Sequence, residues 1–147
     1  HGQTLAFPAP DAFAATKLPA KDLENKKIEF SRKYVSSHDS VYRSVAQGLY
    51  IAGGGIVRTF KNVDKVVSDQ LHIIHRTAKY TPHAFAVHPS VDEETRNRLA
   101  AALMGLGNSE VGLQLLESIK FASIESAVNE DWKDVRDLNL APSELSD

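Results

Sequence analysis

The sequence predicts an α/β fold, a parallel sheet with flanking helices, because one pattern occurs three times in its first half. A short apolar or alternating run is followed by a small polar loop, and the loop by a segment of helical spacing. Parallel neighbours need a crossover between them, and the helical segments supply it.

In the first unit, Thr4 to Phe7 ("TLAF") is the strand, "PAPD" the loop and "AFAATKL" the helix, with Asp11 placed to cap it. In the second, Ile28 to Val35 alternates as a strand, and "SSHD" leads into "SVYRSVAQGL", whose Val41, Val45 and Leu49 share a face. Ser37 is the expected cap, and Asp39 suits the positive end of the helix dipole. The third unit reads "LYIA" as strand, "GGG" as loop and "IVRTFKNVDKVV" as helix.

Beyond Gln70, "LHIIHRT" and "AFAVHP" are two extended runs with no helix between them, separated by "AKYTPH" around Pro82. A long helix follows from Pro89–Ser90, with Ser90 and Glu93 at capping-box spacing and Leu99, Leu103 and Leu106 as its buried face. Gly105 and Gly107 end it, Ser109 opens another, "NEDWKDVRDL" gives a third, and "APSELSD" reads as a frayed tail.

Composition narrows the function. With 147 residues, 42% hydrophobic and 24% charged, the chain can bury a core. Its 17 basic and 19 acidic residues are interspersed and give a net charge of −2, which argues against nucleic acid. There is no cysteine, so disulfides and thiolate chemistry are out. No apolar run reaches the roughly 20 residues of a membrane span. The start of the chain does not read as a signal peptide, and a cleaved one leaves no trace.

In a parallel sheet, ligands sit beyond the carboxyl ends of the strands, where helices present unbonded N–H groups. "PAPDAF", "SSHDS" and "AGGGIV" are therefore the candidate loops. Gly53, Gly54 and Gly55 let the backbone approach a ligand and aim N–H groups at an anion, or they simply make a tight turn. They match neither a P-loop nor a dinucleotide fingerprint. Ser37 and His38 can donate to an oxyanion, and Asp39 can orient His38 or take a ligand proton, or the group is a plain helix cap. A Ser–His–Asp triad is not expected from adjacent residues at a helix start without a nucleophile elbow. The spacings of His72, His75, His83 and His88 do not converge on a metal, so no metal or cofactor is expected. Tyr80 to Phe85 ("YTPHAF") has the irregular character of a hinge.

Taken in order, "AFPAPDAFAAT", "SSHDSVYRSVAQGL", "AGGGIVRTF" and "PHAFAVHP" resemble the periplasmic solute-binding proteins of phosphate, phosphite and phosphonate ABC importers. The resemblance implies a periplasmic-binding-protein-like, two-lobed fold of the double-crossover class, closing over a small oxyanion. It further implies that the N-terminal lobe is largely missing: residues 1–73 form the second, ligand-closing lobe, 74–89 the hinge and return strand, and 90–147 a helical part of the first lobe. An unpaired sheet edge in such a fragment is open to dimerisation or segment swapping.

Carried over by position, the resemblance places Asp11, Ala12 and Phe13 at the first ligand loop, Ser37, His38 and Asp39 at the second, and Gly53, Gly54 and Gly55 at the third. After the return crossing, His83 and Phe85 fall where the family has an acidic residue and an aromatic, and Tyr80, in the hinge-like stretch, is placed to reach a ligand held between lobes. Asp11 departs from the small hydroxyl residues of the family and would repel a dianion unless a proton is shared. The implied role is a non-enzymatic, extracytoplasmic solute-binding component that hands its ligand to a membrane permease. The same fold serving as the sensor domain of a signalling receptor, and a phosphate-handling α/β enzyme, are the alternatives.

Overall fold

The computed structural model describes residues 2–140. The described part divides into two compact units, one running to Lys79 and taking in Asn139 and Leu140, the other Tyr80–Leu138.

The first unit is built on two parallel strands, β1 (Gln3–Phe7) and β2 (Phe30–Tyr34), in register from Gln3 opposite Phe30 to Phe7 opposite Tyr34. Between them runs a π turn, Phe13–Lys17, continuing into α1 (Leu18–Asn25). Pro19 accounts for the wider turn: its ring would crowd the Ala15 carbonyl four residues back, and it has no N–H to offer that oxygen. Asp11, the expected cap, lies one residue too early; Ala12 is the N-cap and no side chain caps this helix start. The loop is instead tied down by buried Thr16, whose hydroxyl donates to the Ala9 carbonyl at 2.7 Å.

β2 is followed by α2 (His38–Ala46), capped as expected by Ser37, whose Oγ accepts the Ser40 N–H. Val41 and Tyr42 are its buried residues. Leu49 is not on the buried face: the helix has ended by then, Gly48 turns the chain at φ 74°, and Leu49 is 66% exposed. The expected third strand is reduced to a single parallel bridge between Ala6 and Gly53. Tyr50 and Ile51 remain outside the sheet because the chain reaches β1 only where the glycines permit contact. The expected third helix is broken into α3 (Val57–Lys61) and α4 (Lys65–Ser68).

The glycine run marks a close approach rather than a left-handed turn, since none of the three has a positive φ. A methyl group on Gly54 would run into the Ala15 carbonyl and lie 2.7 Å from the Phe7 ring. On Gly53 it would meet Val41 at 2.5 Å, and on Gly55 the Tyr42 hydroxyl at 2.5 Å. The core around this contact comprises Ala6, Phe7, Ala15, Leu18, Ala20, Val41 and Tyr42.

From Leu71 to Pro89 no strand forms among the described residues, contrary to the alternation of "LHIIHRT" and "AFAVHP". An apolar run becomes a strand only beside a free edge, and here Ile74 and Phe85 stay 83% and 63% exposed. The 71–79 segment is fastened to α1 by His75 Nε2, 2.7 Å from Asp22 Oδ2.

The second unit is helical: α5 (Glu93–Met104), a 3₁₀ turn Gly105–Asn108, α6 (Glu110–Ser118), a 3₁₀ turn Asn129–Trp132 and α7 (Lys133–Arg136). Asp92 caps α5 through the Thr95 N–H at 2.8 Å, so the cap falls two residues after Ser90, which bonds His88 instead. Ser109 caps α6 as expected. Leu99 is 44% exposed, and α5 contributes no buried residue. No single helix is long and apolar enough to cross a membrane among the described residues. The "APSELSD" tail lies outside the described residues.

Two predictions follow from this packing. Gly54→Ala destabilises the first unit by about 3 kcal/mol or more, because backbone must move. Gly107→Ala, with nothing within 4 Å of the added methyl, changes stability by less than about 1 kcal/mol. Denaturant unfolding of the two variants checks this, and equal effects would refute the close approach.

The second prediction concerns acid. Asp134 and Asp92 are held below the usual carboxylate range, chiefly by the backbone N–H groups of Thr81 and Thr95. A depressed folded pKa gives stability that is complete above the unfolded value, about 3.9, and is lost as pH falls through the folded one. Amide protection at Thr81 and Thr95 should hold from pH 7 to 5 and decline below about pH 4. Protection unchanged down to pH 2 would contradict the assignment.

Candidate functional site

Because β1 and β2 end level and Ala6 bridges Gly53, the loops 8–12, 35–37 and 54–56 leave one edge of the sheet. The carboxyl end of the sheet thus carries Asp11, Ala12 and Phe13, Ser37, His38 and Asp39, and Gly53, Gly54 and Gly55. Tyr80 and His83 belong to the second unit.

At the first loop Asp11 is exposed, while Ala12 and Phe13 are half-buried. The Ala12 carbonyl accepts the N–H groups of both Thr16 and Lys17, at 2.8 and 3.1 Å. This shared acceptor converts the loop directly into the π turn.

The second loop turns at Ser36, which holds a left-handed φ of 72°. That reversal presents Ser37 in the extended conformation an N-cap needs. Its Oγ accepts the Ser40 N–H at 3.0 Å and lies 2.8 Å from Ser40 Oγ, so Ser37 is engaged within its own turn. His38 is the first helical residue. Its side chain is half-buried, and its Nδ1 is buried without a hydrogen-bond partner among the described residues.

Asp39 Oδ2 accepts from Arg43 Nε at 2.7 Å, and Arg43 Nη2 donates to Asp64 Oδ2 at 2.8 Å. The guanidinium is held above its ordinary pKa, first by its bond to Asp39 and then by that to Asp64. The Asp39 charge is therefore largely offset beside the helix start. The pair is exposed, and its contribution to stability is small.

At the third loop the N–H groups alternate in direction. Gly54 N–H donates to the Ala6 carbonyl at 2.9 Å and Ile56 N–H to Tyr42 Oη at 3.1 Å. Gly55 N–H lies between them and makes no such bond among the described residues. Three successive donors aimed at one anion do not form here; of the three glycines, Gly53 and Gly55 keep an N–H without a bond among the described residues, and Gly54 does not.

Tyr42 is the residue that sequence reasoning passes over. It lies next to Val41 in sequence and one turn beyond His38 on α2, and its hydroxyl joins α2 to the third loop. The only sequence signal was a polar-tipped aromatic one helical turn beyond His38.

In the second unit, Tyr80 is half-buried and His83 exposed. Their stretch is clamped by Thr81 N–H to Asp134 at 2.7 Å, Thr81 Oγ1 to the Asp131 carbonyl at 2.8 Å, and Trp132 Nε1 to the Pro82 carbonyl at 2.7 Å. Phe85 meets Phe121 edge-on, with ring centroids 6.4 Å apart.

Two shallow depressions of the first unit, one beside Glu24–Tyr34 and one around Gly48–Ile51, contain none of these loop residues. The chemistry of these loops lies along the carboxyl edge of the sheet in this unit. It offers a capped helix start, an unpaired buried imidazole nitrogen and a free glycine N–H, a donor set suited to an anion.

No curated protein matches the sequence. A family model does, over residues 1–132, and its description is "ABC transporter, phosphonate, periplasmic substrate-binding protein". The chain belongs to the family of periplasmic substrate-binding proteins of phosphonate ABC transporters.

Proposed function

We propose that this chain captures a small oxyanion, of the phosphonate, phosphite or phosphate class, and delivers it to an ABC transporter permease from an extracytoplasmic location. The observation that carries the reading is His38: a ring nitrogen buried without a partner costs about 1–3 kcal/mol, a penalty that a ligand oxygen or hydroxyl would relieve. It sits at the start of a capped helix of nine residues, whose positive end favours an anion.

The other positions fall into supporting roles. Gly55 offers a backbone donor, Gly53 and Gly54 let the backbone come close, Ser37 holds the helix start, and Arg43 offsets the charge of Asp39. Ala12 and Phe13 form the first wall. Asp11 accepts a hydrogen bond from the hydroxyl of a monoprotonated ligand, since two unprotonated charges there would repel. Tyr80 and His83 close the site from the other lobe. In this arrangement residues 1–73 and 90–147 belong to different lobes of a double-crossover fold, joined through 74–89. Bound ligand is held by charge-assisted hydrogen bonds and excluded from water, without covalent change.

Titration calorimetry of the full chain with methylphosphonate, phosphite and phosphate should give saturable heat at one site for at least one of them. His38→Ala should weaken that affinity by about tenfold to a hundredfold, the range for a hydrogen bond to a charged group, with the unfolding midpoint little changed. Absence of heat with all three anions would overturn the ligand class. Unaltered affinity in His38→Ala would overturn the site.

A further inference from the structure

We infer that Tyr42 is a positioning residue whose hydroxyl fixes the direction of the Gly55 N–H. This inference rests on the oxyanion reading above.

The geometry is a closed ring of three hydrogen bonds. Ile56 N–H donates to Tyr42 Oη at 3.1 Å, Tyr42 Oη lies 2.7 Å from Thr59 Oγ1, and Thr59 Oγ1 donates to the Ile56 carbonyl at 3.0 Å. The Tyr42 hydroxyl also lies 3.1 Å from the Ile56 carbonyl; with the phenol proton on the closer Thr59 Oγ1, both hydroxyls give and receive one bond, and Ile56 donates through its N–H and accepts through its carbonyl. Such rings strengthen one another when shielded from water, and Tyr42 is 7% exposed. Its ring is held from the side by Phe60, edge-on at 5.4 Å between centroids.

The consequence for the third loop comes from peptide planarity. Gly54 N–H, bonded to the Ala6 carbonyl, fixes the plane between Gly53 and Gly54. Ile56 N–H, bonded to Tyr42, fixes the plane between Gly55 and Ile56. The plane between them carries the Gly55 N–H, and glycine on both sides would otherwise leave it free to rotate. It is pinned from one side by the sheet and from the other by Tyr42. Because Tyr42 is also one turn along α2 from His38, the same side chain ties the second loop to the third.

The test is Tyr42→Phe, which keeps the ring and removes the hydroxyl. In the ligand-free chain, amide exchange at Ile56 should accelerate about tenfold or more, with a shifted Gly55 amide resonance, while Thr4 is unchanged. Affinity for the anion bound by the wild-type chain should fall about tenfold, as for one lost hydrogen bond. Thr59→Val should act in the same direction and Thr59→Ser should restore binding, a rescue that a loss of general stability would not show. Those two variants decide the matter if Tyr42→Phe fails to fold. Tyr42→Phe binding as tightly as wild type, or Thr59→Val binding as tightly as Thr59→Ser, overturns the inference and leaves the oxyanion reading standing. A wild-type chain that binds none of the anions overturns both.

Discussion

At Gly54 the backbone passes so close to the Phe7 ring and the Ala15 carbonyl that no methyl group fits, and the arrangement of the first unit depends on that contact. It allows the Gly54 N–H to reach the Ala6 carbonyl, which together with the Ala6 N–H donating to the Ala52 carbonyl makes the single bridge between the third segment and β1. Gly53 repeats the concession toward Val41, so α2 can lie against the same strand. The position of His38 at the head of α2 is then set by a contact three and four residues downstream. The Ala15 carbonyl itself is exposed to this approach because Pro19 cannot bond it. Burial of Phe7 and Val41, each about 1% exposed, drives the association, at about 1.5–3 kcal/mol for each side chain.

The polar groups at the carboxyl edge are mostly committed to holding the loops. Ser37 serves its helix cap, Thr16 the first loop, Gly54 the strand, Ile56 the phenol of Tyr42 and Asp39 the guanidinium of Arg43. Among the groups without a hydrogen bond in the described residues are the His38 Nδ1 and the Gly55 N–H. A site that leaves only a few rigidly held groups open suits recognition, because little ordering has to occur on binding. The Arg43 bridge acts at second hand: by bonding Asp39 it reduces repulsion at a helix start that would otherwise carry a bare carboxylate.

The strand–loop–helix order of the first half was legible because each junction is encoded locally, by an apolar run, a small loop and a cap. Ser37 and Ser109 could be read as caps for the same reason. Features that depend on distant partners could not. The third strand failed because the segment meets β1 only from Ala52 to Gly54, in one bridge, and the extended runs after Gln70 pair with no strand edge. Asp92 outcompeted Ser90 as a cap, a choice between two locally valid spacings. Asp11 missed its role because Pro19, eight residues later, widened the turn and moved the helix start. In the candidate site, the order and place of the three loops were readable, but the division of labour among the glycines was not. It depends on Phe7, Ala15 and Tyr42, whose approach is a property of the folded chain.

The second unit is held together differently. Among the described residues Leu116 is its one buried large apolar side chain, while Val111, Leu113 and Leu115 on the same helix are more than half exposed. Beside the Phe85–Phe121 ring contact, its longest connections are polar: Thr81 and Pro82 are bonded to Asp131, Trp132 and Asp134, about 50 residues away. Each of these bonds joins the stretch containing Tyr80 and His83 to the 3₁₀ turn and α7. The local conformation of that stretch is therefore set within its own unit and does not require the first. An element whose shape is fixed before it meets its ligand loses little entropy on binding. The two units are thus ordered by different means, the first by a glycine contact against a strand and the second by one carboxylate, a backbone carbonyl and an indole gripping a threonine–proline turn.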